Sequence, residues 1–130
     1  DLNGLFAEIQ RILKPGGFYV FYDTHPFQRP WRDVQNAAEM EKTYFDTGPF
    51  RDSEDGPCKF HWTMGDVLNS LADAGLSVRR LRESLARDSS YWEAGKWYVP
   101  GSQPSLLDWK VNPRAGLPSW LLVAAQKISV

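Results

Sequence analysis

The chain has 130 residues, within the range of one domain able to bury a modest core. With 42% hydrophobic and 24% charged residues its composition is globular rather than disordered. A formal net charge of -1 gives neither a basic field for nucleic acid nor an acidic tail for basic partners.

A single cysteine, Cys58, excludes an internal disulfide and favours a reducing, cytoplasmic compartment. No apolar stretch is long enough to cross a bilayer and no signal peptide opens the chain, so no membrane partner is expected. Asp1 leads directly into a helical pattern, which predicts an excised piece of a longer protein. Six Trp exceed what so small a core requires, and some of them are expected to line a groove or partner surface.

Leu2, Leu5, Phe6, Ile9, Ile12 and Leu13 recur at helical spacing and predict one apolar stripe, with Glu8 and Arg11 on the solvated side. Lys14 suits the negative end of the helix dipole, and Pro15 with Gly16-Gly17 stops the helix. Phe18 to Tyr22 then runs without polar interruption, as a strand covered on both faces does in an α/β sheet. Asp23, Thr24, His25 and Pro26 end it, since Pro26 cannot donate to a ladder.

Residues 27–60 carry turn punctuation at Pro30, Gly48-Pro49 and Gly56-Pro57 and predict a long excursion, with a short helix near Val34 to Met40. A second helix follows. Thr63 is a good N-cap with Asp66 three residues on, a capping-box variant, and Trp62 can staple onto Val67. Met64, Val67, Leu68 and Leu71 form its stripe, Gly75 suits a left-handed C′ position, and Leu76 can fold back on Leu71. Ser77 to Glu83 reads as a short strand near a sheet edge. Residues 85–116 form another long excursion rich in Tyr and Trp, and Trp120 to Ala125 is an apolar run expected to be a buried strand. The first two strands, joined through a helix, are expected to be parallel, and the last one can run antiparallel. No internal repeat is present.

Three segments in this order carry a resemblance. Leu5-Phe6-Ala7-Glu8-Ile9-Gln10-Arg11-Ile12-Leu13-Lys14-Pro15-Gly16-Gly17 resembles the post-catalytic motif of class I S-adenosylmethionine-dependent methyltransferases, a helix ending in Leu-Lys-Pro-Gly-Gly before the fifth strand. Phe60-His61-Trp62-Thr63-Met64, with Asp66, Leu68, Leu71 and Ala74-Gly75-Leu76, is similar to the helix before that family's sixth strand. Leu117 to Lys127 is similar to its seventh, antiparallel strand. The resemblance implies the C-terminal part of a Rossmann-like α/β fold: two parallel strands plus an antiparallel terminal strand, with flanking helices, over residues 1–130. It implies S-adenosylmethionine as the cofactor of the parent protein and a small-molecule methyl acceptor as its substrate.

The family's glycine-rich turn after the first strand, and its acidic residue ending the second, have no counterpart here. Gly16-Gly17 follows a helix and precedes a strand, the reverse of a nucleotide loop. The chain alone is therefore expected not to bind the cofactor. The strand 18–22 would also lack its fourth-strand neighbour, and self-association through that edge is expected.

Ligands of open α/β sheets bind beyond the carboxyl ends of the strands, which favours Asp23, Thr24 and His25. His25 is the candidate general base, unless Asp23 only caps a turn and His25 only packs against Pro26. His61 and Trp62 return to the same rim to contact substrate, or His61 bonds only to the loop backbone. Tyr91, Trp92, Trp97 and Tyr98 either cover the substrate or form the core of their own loop. Cys58 and His61 have metal-like spacing, with His25 a conceivable third ligand, but paired motifs are lacking. Arg79, Arg80, Arg82 and Arg87 suggest a phosphate patch, although Glu83 and Asp88 make an ordinary solvated edge the simpler reading. A non-catalytic interaction module that keeps the half-fold is the alternative to a substrate-side enzyme half.

Overall fold

A computed structural model describes residues 1–31, 40–87, 90–93 and 106–128. The short helix expected near Val34 to Met40 falls, except for Met40, outside the described residues, as do Asp88, Trp97 and Tyr98. The main elements in chain order are α1 (Leu2–Ile12), β1 (Phe18–Thr24), α2 (Met64–Asp73), β2 (Leu76–Ser84), α3 (Ser90–Glu93) and β3 (Trp120–Lys127). Two 3-10 turns, Pro26–Gln28 and Pro113–Gly116, follow β1 and precede β3.

The apolar stripe of α1 divides in two. Phe6 is buried, and Leu2, Ile9 and Leu13 pack with it on the core, whereas Leu5 and Ile12 stay exposed. Glu8 and Arg11 pair on the solvated side at 2.5 Å, as the sequence predicts. The helix stops where Gly16 adopts φ 77°, a conformation that costs glycine little. Lys127 of β3 donates from Nζ to the Leu13 carbonyl at 2.9 Å, so a cation from the far end of the chain satisfies the end of α1.

α2 starts as its capping box dictates. The Asp66 amide donates to Thr63 Oγ1 at 3.0 Å, and the Thr63 amide donates to Asp66 Oδ2 at 3.1 Å. Tyr44 adds its hydroxyl oxygen as acceptor for the Met64 amide at 2.6 Å. At the far end Gly75 takes φ 80°, and the chain turns directly into β2 with Leu76 buried beside Leu71.

The three strands form one sheet in the order β1-β3-β2, and both ladders are antiparallel. The expected parallel pair is thus not observed. β1 and β2 run in the same direction, but β3 is inserted between them. The chain explains this: Ser119 donates to the Ser84 carbonyl at 2.8 Å, so β3 begins at the rim where β2 ends and must return antiparallel. β3 is also the strand that is apolar on both sides and hydrogen-bonded on both edges. Leu121, Val123 and Ala125 are buried under the helices, while Leu122 and Ala124 alternate on the other face.

β1 corrects a second expectation. It is not covered on both faces: Tyr19 and Phe21 pack on the core, but Phe18, Val20 and Tyr22 are 53%, 57% and 60% exposed. Its outer edge has no strand partner among the described residues. β2 is the opposite edge, and a bulge between Val78 and Arg80 shifts its register.

The core under α1 and α2 comprises Phe6, Val67, Leu71, Leu76, Leu121, Val123 and Ala125. A second cluster of Trp92, Leu106 and Ala115 lies apart from it, with Tyr91 and Ala86 against it. Beside that cluster Arg114 is fully buried, its guanidinium carbon 4.6 Å from the Trp31 ring and 5.4 Å from Trp92. Its Nε donates to Gln28 at 3.0 Å, and Gln28 in turn donates to the Pro118 carbonyl at 3.0 Å. These bonds fix the segments that leave β1 and enter β3. No described helix is long and apolar enough to cross a membrane.

Candidate functional site

The strand geometry delivers Asp23 and Thr24 to the carboxyl end of β1 and the loop before α2 brings His61 and Trp62 alongside. Asp23, Thr24, His61 and Trp62, with Arg29 and Phe60, line a cavity of about 90 Å³ floored by Phe21, Val67 and Leu121. An adjoining apolar cavity of about 230 Å³ shares Phe21, Asp23, Trp62 and Val67 and adds Tyr19, Tyr22, Leu2, Leu5 and Phe6. The site is therefore an apolar trough with a carboxylate and an indole at its junction. Trp62 is fixed there by stacking on Phe60, with centroids 4.9 Å apart and planes 8° from parallel.

His25 sits differently. It is fully buried and does not line the cavity. Its Nδ1 accepts from the Phe27 amide at 3.1 Å, so the ring proton resides on Nε2, which lies 2.6 Å from Glu83 Oε2. Both nitrogens are engaged. A role as base requires one of these bonds to open first.

The His61 ring packs tilted against Phe50, with centroids 4.8 Å apart and planes at 30°. Its Nδ1 is buried with no hydrogen-bond partner among the described residues. Burial, followed by the positive charges of Arg29, Lys42 and Lys59, pushes its pKa down to about 4 against a weaker opposing effect of Asp52. The ring is neutral at pH 7. On its far side a third cavity of about 170 Å³ is lined by Arg29, Pro30, Glu41, Lys42, Asp46 and Phe50.

The structure thus brings Asp23, His61 and Trp62 together and leaves Tyr91 and Trp92 elsewhere. Trp92 is fully buried in the second cluster, and Tyr91 is half-buried, edge-on to Trp120 at 5.4 Å. Burial raises the Tyr91 phenol above its ordinary range. Sequence reasoning missed Arg29, Lys42 and Phe50, which sit in a stretch with no periodicity to mark them. Among the described residues no group of three or more His, Cys, Asp or Glu is placed to hold a metal ion; Cys58 is exposed and free. Arg79, Arg80 and Arg82 lie exposed along the edge strand.

No protein-family model matches the sequence, and no curated protein matches it either. Solved structures do. An S-adenosylmethionine-dependent methyltransferase from Mesorhizobium loti superposes with a TM-score of 0.59 and 25% identity over 97% of this chain and 55% of that one. This chain has the fold of part of a class I S-adenosylmethionine-dependent methyltransferase. A methyltransferase of this kind from Methanosarcina mazei gives a TM-score of 0.51 at 13% identity, over 99% of this chain and 52% of its own. The geranyl diphosphate C-methyltransferase of Streptomyces coelicolor A3(2), crystallised with Mg2+, geranyl diphosphate and S-adenosyl-L-homocysteine, gives 0.52 at 24%, over 98% and 42%. The chain spans about half the length of these methyltransferases.

The described residues do not fit the cofactor these enzymes use. The double-glycine turn follows the carbonyl end of α1, where Lys127 bonds the Leu13 carbonyl and Gln126 bonds that of Gly16. The amino end of α2 is closed by its own capping box. β1 leads into a 3-10 turn rather than a glycine-rich turn and helix.

Proposed function

We propose that the chain is the C-terminal, substrate-side half of a cytoplasmic S-adenosylmethionine-dependent methyltransferase acting on a small molecule, inactive without the half that binds the cofactor. The observation that carries this reading is the superposition of 97% of the chain on about half of a methyltransferase that is 25% identical. Asp23 and Trp62 line the trough at the strand ends, where the acceptor would lie with its apolar body against Tyr19, Phe21 and Tyr22. Their contribution is to hold the acceptor in one orientation and to exclude water. His25 serves as a positioning residue that holds the turn after β1. Trp92 and Tyr91 belong to the second cluster, with Leu106 and Ala115.

The open face of β1 favours a second reading, a non-catalytic module that binds a partner through Phe18, Val20 and Tyr22. In either case the unpaired β1 edge promotes self-association of the isolated chain. Calorimetric titration with S-adenosylmethionine separates the readings. The isolated 130-residue chain gives no saturable micromolar binding, whereas the gene product extended upstream through a glycine-rich turn binds and methylates. An extended product that binds no cofactor would overturn the enzyme reading.

A further inference from the structure

We infer that the cavity between Arg29, Lys42 and His61 is a subsite for an anionic group, a carboxylate or phosphate, carried by the ligand of the adjoining trough. This rests on reading the trough as a small-molecule site and names the chemical class of what it holds.

Arg29 and His61 line both the trough-side cavity and the 170 Å³ cavity beyond it, so they form the wall through which one molecule would reach from apolar to polar surroundings. Lys42 lies opposite. Its Nζ donates to backbone carbonyls, of Asp46 at 2.7 Å and of Thr43 at 3.5 Å, rather than to a carboxylate. It also sits 5.2 Å above the Phe50 ring, the same ring against which His61 packs. A cation so held keeps its charge available to a third group. Arg29 approaches Asp23 only to 3.7 Å, longer than a direct hydrogen bond, and retains donors for a bidentate partner.

Two acidic residues, Glu41 and Asp46, share this lining with the two cations. Asp46 spends Oδ1 on the Gly48 amide at 3.2 Å, and Asp52 is paired with Lys59. Burial first, and then the charges of Arg29, Lys42 and Lys59, lower the His61 pKa, with Asp52 opposing them. His61 Nδ1 is buried and without a partner among the described residues, so the ring lines the cavity and reports on it rather than donating into it. Arg29 and Lys42 line this cavity beside the neutral His61 ring and are the groups that would hold the anion.

Only two histidines are present, so imidazole signals report the subsite directly. The 130-residue chain would be titrated with sodium phosphate, and separately with sodium acetate, against sodium chloride at matched ionic strength. The expected result is a saturable shift of the His61 signals in at least one arm, with its pKa rising as the anion binds, while His25 is unmoved. The responding arm identifies the group as phosphate or carboxylate. Arg29→Gln and Lys42→Gln, each retaining the His25 signal as proof of folding, should each weaken binding roughly tenfold. An unmoved His61 in both arms, a response equal to that in chloride, or wild-type binding by both variants would overturn the subsite. None of these outcomes touches the methyltransferase reading, which cofactor binding by the extended protein decides separately.

Discussion

His25 and Glu83 are 58 residues apart in sequence, yet their side chains meet at 2.6 Å and join the carboxyl ends of β1 and β2 across the intervening strand. The histidine is fully buried while the glutamate is partly exposed, so the bond closes the rim from the inside. Replacing His25 with Phe removes this bond and the cap on the Phe27 amide. A loss of about 1.5–3 kcal/mol is expected, as for hydrogen bonds to charged groups, read from the urea midpoint. Glu83→Gln keeps an acceptor and should cost less than half as much.

The start of α2 gives a smaller and cleaner effect. Thr63→Ala deletes the acceptor for the Asp66 amide and should destabilise the chain by about 1 kcal/mol. Asp66→Ala removes the reciprocal bond to the Thr63 amide. Because the two side chains form one closed box, the double variant should lose less than the sum of the single losses, which a double-mutant cycle measures.

His61 makes stability depend on pH in a defined direction. Its folded-state pKa of about 4 lies below the ordinary value of 6.5, so the unfolded chain binds the proton more readily between these values. Stability is complete above the upper limit and falls as pH drops through the window toward the lower one. His61→Gln should flatten the decline in thermal midpoint over that interval relative to wild type. An unchanged pH profile in the variant would show that other groups carry it.

The open edge of β1 predicts association. Phe18, Val20 and Tyr22 are more than half exposed, and no strand covers that edge among the described residues. Sedimentation of the chain at rising concentration should show oligomers, and Val20→Lys should shift them to monomer, because a charge on an edge strand opposes pairing. A clean monomer at high concentration would count against the association.

Local structure was largely legible in the residues. The Thr63–Asp66 box, the Gly75 turn and the arrest of α1 at Pro15-Gly16-Gly17 each depend on neighbours within a few positions, and all are observed. Asp23, His61 and Trp62 could be placed at one rim because strand ends collect sites in open sheets. Sheet order could not be read in this way. β1 and β3 are both apolar runs, and hydropathy does not say which takes the centre. That depends on Ser119 meeting Ser84, a contact 35 positions apart. Burial of Trp92 and the convergence of Arg29 and Lys42 on His61 arise in the same way, from loop segments without periodicity.

The central place of β3 sets an order of events for a newly made chain. β1 and β2 share no ladder, so neither is paired within this sheet until residues 120–127 have been made. Phe18 to Tyr22 meets its partner in this sheet about a hundred residues later, a long-range closure that slows folding. A stop codon before Trp120 would abolish this sheet rather than shorten it.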